Sequence, residues 1–134
     1  MREILFRGKR MDNGDWVFGD LIREPWGYCI QVVTGSGNGY SRKKYAITEE
    51  TVCQYTGLKD KNGKRIFEGD ICHNTRTEEI VSVKWHGTMA GYVWNKRRAD
   101  CFLFDFGELF RACDKYEVIG NIHDNPELLE RGTP

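Results

Sequence analysis

The chain has 134 residues, 40% hydrophobic and 30% charged, long enough to bury one core without disulfide or metal staples. Twenty basic residues balance twenty acidic ones, which excludes a global field driving the chain onto nucleic acid or an anionic membrane. No apolar run approaches the roughly twenty residues that span a bilayer, and the first residues lack a signal peptide's apolar stretch; the expectation is one soluble cytoplasmic domain over residues 1–134.

In chain order, apolar residues recurring with period two predict strands at residues 4–7, 16–23, 28–34, 40–47 and 52–56. Between the first two, Asp12-Asn13-Gly14-Asp15 carries an Asn-Gly pair that tolerates the positive φ of a tight turn. Trp26, between Pro25 and Gly27, sits near a loop, where it is either exposed as an anchor for a partner or, the commoner outcome, partly buried in its own chain. Gly35-Ser36-Gly37-Asn38-Gly39 fails as a phosphate loop, because Tyr40 stands where the third glycine belongs and a strand follows. It reads as a hairpin tip.

Farther along, Asp60-Lys61-Asn62-Gly63 makes a second tight turn, and Arg65-Ile66-Phe67 returns from it as a strand. Glu68-Gly69-Asp70 bends the chain into another strand at 69–73. Val81, Val83 and Trp85 share one face of a strand, opposite Ser82 and Lys84, so Trp85 is expected in the core. Residues 91–94 follow a short loop and should pair with that strand as a hairpin. Strands are also predicted at 101–106 and 116–121, with a helical turn at 108–112. A short terminal helix follows, with Asn125 as its cap, Pro126 at its first position and Glu127 complementing its dipole. About ten short strands with little helix predict an all-β fold, a small antiparallel β-barrel or sandwich with a short C-terminal helix.

The eighteen residues from Gln54 to Ile71, QYTGLKDKNGKRIFEGDI, closely resemble the signature of the YopX family. These are small proteins of bacteriophages and prophages in low-GC Gram-positive bacteria. The opening MREILFRGK and the closing EVIGNIHDNPELL resemble the family's two ends, so the resemblance spans nearly the whole chain in order. Phe67 stands where the family more often has tyrosine, and residues 24–45 and 88–110 match loosely. The resemblance implies an all-β fold and assembly into rings, hexamers among them. It carries over no catalytic set. The Glu-Gly-Asp-apolar bend also occurs in SH3-like barrels, where it sets strand direction, and turn chemistry accounts for nearly every residue of the signature.

Other constellations are weak. The five cysteines, Cys29, Cys53, Cys72, Cys101 and Cys113, lack zinc-ligand spacing and read as free, mostly buried thiols. Cys72 and His73 are adjacent, so in a strand they point to opposite faces and cannot form a catalytic pair; Cys53 or Cys101 could meet His86 only through the fold. Glu68 and Asp70 share a face but lack a third ligand, and no metal or cofactor is expected. Two basic clusters lie beside aromatic residues. Arg42, Lys43 and Lys44 are flanked by Tyr40 and Tyr45, and Lys96, Arg97 and Arg98 follow Tyr92 and Trp94. The expectation is a non-enzymatic, self-associating module that engages a phage or host protein. The alternative is a nucleic-acid-binding module that uses both basic clusters.

Overall fold

The computed structural model describes residues 2–88, 90–96 and 115–131, and among them ten strands alternate with tight turns. The contacts divide the chain into two units, Met1–Tyr55 and Thr56–Pro134.

In the first unit, β1 (Phe6–Lys9), β2 (Trp16–Glu24), β3 (Gly27–Ser36) and β4 (Gly39–Ile47) form an antiparallel meander. The start of β5 (Cys53–Lys59) pairs with the free side of β1, Phe6 opposite Gln54. Turn chemistry sets the connections. Asn13 Oδ1 accepts the Asp15 N–H at 2.9 Å, and Gly14 takes a φ of 76°. Residues 37–38 form the β3–β4 tip, with Ser36 opposite Gly39, as the glycine-rich stretch predicts. A 3-10 turn at Glu49–Thr51, not anticipated from the sequence, lets Thr51 Oγ1 accept the Lys9 N–H at 2.9 Å. The foot of β4 folds back onto the end of β1 through a bridge between Arg10 and Ile47. Ile47 then lies directly on Gly8, where an added Cβ would stand 2.6 Å from its Cδ1.

The second unit takes up the far half of β5, joined by β6 (Arg65–Phe67). Its four-stranded sheet has β7 (Asp70–Asn74), β8 (Ile80–His86), β9 (Gly91–Lys96) and β10 (Tyr116–Asn121) in the order β10-β7-β8-β9. A flat sheet would hold β9 and β10 about 14 Å apart, three strand spacings. Yet the rings of Trp94 on β9 and Tyr116 on β10 stack with centroids 4.4 Å apart, so the sheet coils strongly over its core. That core gathers Ile66, Cys72, Val81, Val83, Trp94 and Tyr116, each at most 2% exposed.

The all-β expectation holds, with two antiparallel sheets and a short helix at Glu127–Arg131. Neither sheet closes into a barrel among the described residues. Two local expectations are corrected. Trp85 is 47% exposed, because β7 reaches along β8 only as far as Ser82 and leaves Trp85 overhanging, paired edge-on with Tyr92 alone on the β9 side. Trp94 is the tryptophan of the core instead. Asn125 turns its side chain back to accept the Asn121 N–H at 3.2 Å, which ties the helix approach to β10. The strand expected at 101–106 and the helical turn at 108–112 lie outside the described residues.

Candidate interaction surface

The family-like signature is first of all a folding device. Asp60 is 3% exposed, and its Oδ1 accepts the N–H groups of Asn62 at 2.9 Å and Lys64 at 2.8 Å. Its Oδ2 accepts the Val118 N–H at 2.9 Å, fifty-eight residues away in the chain. One buried carboxylate therefore shapes the hairpin and fixes β10 beside it. Asp70, 2% exposed, accepts the Phe67 N–H at 2.7 Å across the Glu-Gly-Asp bend, where Gly69 takes a φ of 85°. Thr56 Oγ1 donates to the Ile66 carbonyl at 2.7 Å. Asp70 thus faces inward to its own bend.

The thiols behave as small hydrophobes. Cys29, Cys53 and Cys72 are free and buried, while Cys101 and Cys113 lie outside the described residues. Burial, reinforced by Asp70 and Asp60, pushes the Cys72 thiol well above the ordinary cysteine range. Burial likewise raises the Cys29 thiol, with Glu24 adding to the effect. Alkylation of the native protein at pH 8, read by peptide mass mapping, should leave these three cysteines unmodified until denaturant is added. Rapid labelling of Cys72 in the folded state would contradict its placement.

His73 sits on β7 between two carboxylates, with Nε2 at 2.7 Å from Glu78 and Nδ1 at 3.3 Å from Glu117. Desolvation of the ring opposes its charged form, but hydrogen bonds to Glu78 and Glu117 carry its pKa above the ordinary value. The contribution to stability is therefore full below the unfolded value of about 6.5 and disappears as pH rises through the folded pKa. His73→Gln should destabilise the protein more at pH 5.5 than at pH 8 in matched urea titrations. Equal losses at both values would refute the linkage. Cys72, fully buried, occupies the opposite face of the strand from the half-buried His73, as alternation requires. His86 closes β8 opposite Gly91. Among the described residues no group of three or more histidine, cysteine or acidic side chains could hold a metal ion, and no helix is long and apolar enough to cross a membrane.

Arg42, Lys43 and Lys44 lie at the middle of β4, an outer strand of its sheet, and all three are exposed. Alternation splits them. Arg42 and Lys44 share one side of the ribbon with Tyr40, and Lys44 Nζ reaches Glu24 at 3.2 Å. Lys43 lies on the other side, its Nζ 5.2 Å from the Tyr45 ring centroid, a ring that Arg10 also covers at 4.4 Å. Lys96 ends β9, but its side chain, with Arg97 and Arg98, lies outside the described residues. β2 accompanies β3 only as far as Gln31, so among the described residues β3 and β4 run on beyond it as a two-stranded arm. Residues 33–44 are all exposed, and residues 25–48 contain no acidic residue.

Large apolar side chains are also exposed among the described residues. Ile4, Met11, Phe18, Trp26, Val33 and Tyr40 belong to the first unit, against Trp85, Ile119 and Ile122 in the second. Trp26, at the β2–β3 tip, is 63% exposed, the less common of the two outcomes its loop position left open.

The family description "YopX protein" matches residues 5–130. The chain belongs to the YopX family. A crystal structure of protein EF1440 from Enterococcus faecalis resembles this YopX-family chain at a TM-score of 0.62 and 23% identity. The alignment covers 96% of this chain and 99% of that one, and at this identity it speaks for the fold alone. No curated protein matches.

Proposed function

We propose that this YopX-family chain is a non-enzymatic, self-associating interaction module of a bacteriophage or prophage, working in the bacterial cytoplasm with a phage or host protein as partner. The observation that carries the reading is the apolar surface of the first unit. Six large hydrophobic side chains are exposed there, while its buried apolar set is only Cys29, Ile30, Ile47, Cys53 and Tyr55. Side chains this apolar are stabilised when contact with another chain removes them from water, and an exposed tryptophan at a turn is a favoured anchor. Assembly into rings is consistent with that surface. The test is sedimentation velocity on the double variant Met11→Ser, Trp26→Ser. It should shift the protein to smaller species than wild type at equal concentration, and an unchanged distribution would remove these residues from the interface.

A second reading has its own observation. The acid-free stretch 25–48, with Arg42, Lys43 and Lys44 beside Tyr40 and Tyr45, offers cations for phosphates and rings for bases. Gel shifts with single-stranded and duplex probes at low salt test it. Absence of binding, or binding unaffected by neutralising the three cations, removes it.

A further inference from the structure

The outer edge of β4 has two different halves. At its foot the edge is occupied: the Ala46 carbonyl accepts the Met11 N–H at 2.9 Å, and the Thr48 N–H donates to the Lys9 carbonyl at 2.9 Å. Above that point, among the described residues, no strand pairs with residues 39–45 on this side. Backbone groups of successive residues alternate in direction along a strand. Since Ala46 and Thr48 point their backbone groups outward, Tyr40, Arg42 and Lys44 do so as well, and Ser41, Lys43 and Tyr45 turn theirs toward β3. The edge therefore presents a row of outward amides and carbonyls, the complement of an extended chain.

Its side chains decide which chain fits. Three consecutive cations occupy the middle of this free stretch, and no acidic residue stands nearer in sequence than Glu24 or Glu49. Glu24 approaches only Lys44, at the lower end. Two copies meeting antiparallel, β4 against β4, would bring like charges opposite one another, which is destabilising. A strand bearing acidic residues would be attracted at the same positions.

We infer that residues 39–45 form a β-augmentation site for an acidic extended peptide segment of a partner protein, and that a second copy of β4 is not its occupant. This rests on the reading of the chain as an interaction module, and its contact is the backbone edge above the point where Met11 bonds Ala46, not the Met11 and Trp26 side chains. The backbone supplies register, and Arg42 with Lys44 on one side, or Lys43 on the other, selects an acidic over a basic added strand.

The test uses the full chain and a fluorescein-labelled heptapeptide of alternating valine and glutamate, read by anisotropy at low salt. The same peptide with lysine for glutamate and a labelled twelve-nucleotide oligothymidylate serve as comparison probes. The acidic peptide should bind and the basic one should not. Arg42→Ala should weaken binding about threefold through lost charge, and Arg42→Pro at least about tenfold, because it also removes an outward N–H that β3 does not use. Circular dichroism verifies that each variant is folded. If Arg42→Pro unfolds the arm, the double variant Arg42→Ala, Lys44→Ala carries the test and should lose at least tenfold. Equal binding of both peptides, no binding of either, or equal affinities of the folded Arg42→Pro and Arg42→Ala proteins would overturn the inference. Oligothymidylate binding without peptide binding would overturn it in favour of the nucleic-acid reading. Because the Met11 and Trp26 variants report on self-association separately, peptide failure with the assembly intact would leave the module reading standing.

Discussion

Asp60→Ala is expected to lower stability by about 3–5 kcal/mol in urea titrations followed by tryptophan fluorescence. Each hydrogen bond to a charged group is worth about 1.5–3 kcal/mol, and the three that Asp60 accepts are not additive. Alanine would leave the N–H groups of Asn62, Lys64 and Val118 without the carboxylate they now share. Asp60→Asn should fall between wild type and alanine. Its single amide oxygen can serve the two hairpin donors, but its NH₂ group would then face the Val118 N–H, donor against donor. A loss below about 1 kcal/mol for alanine would mean that β10 is held by its pairing with β7 and not by the signature carboxylate.

Gly19→Ala should be comparably severe, for a different reason. At Gly19, opposite Phe6, β2 leaves its pairing with β1, and its next residue Asp20 lies opposite Gln31 on β3. A methyl group at Gly19 would overlap the Gln31 carbonyl oxygen, a backbone atom of the next strand that cannot swing aside. Relief requires β2 and β3 to separate, at a cost of about 3 kcal/mol or more. Faster amide exchange in β2 and β3 should accompany the lower denaturation midpoint. A variant within about 0.5 kcal/mol of wild type would show that the strands tolerate a wider spacing there.

These two positions show which parts of the structure were legible in the sequence. The Asp-Lys-Asn-Gly turn and the Glu-Gly-Asp bend could be read because their chemistry is local: an acceptor side chain, a donor two residues on, and a glycine for the positive φ. The reach of Asp60 to Val118 could not, since nothing in a turn motif announces a partner fifty-eight residues away. Gly19 looks like an unremarkable glycine in an alternating strand until the neighbouring backbone is in place. Trp85 was expected in the core for a related reason. Alternation assigns a face, but burial depends on how far the next strand extends, and β7 stops short of Trp85.

The candidate surface divides in the same way. Arg42, Lys43 and Lys44 were visible as a cluster beside aromatic rings, and they lie exposed on an outer strand. Hidden in the sequence was their separation onto two sides of the ribbon, with Lys43 turned to Tyr45 and Lys44 to Glu24. The cations also serve the fold itself, because a charged edge resists pairing with its own copies. Guarding the edge and selecting an acidic strand are two results of one charge pattern.

We propose above all that the exposed apolar side chains of the first unit are covered by other copies of the chain. Light scattering of the unmodified protein after size exclusion, over a hundredfold range of loading concentration, tests this most directly. The expected result is a mass that is a multiple of the single chain at the higher loadings. A single-chain mass at every concentration would contradict it.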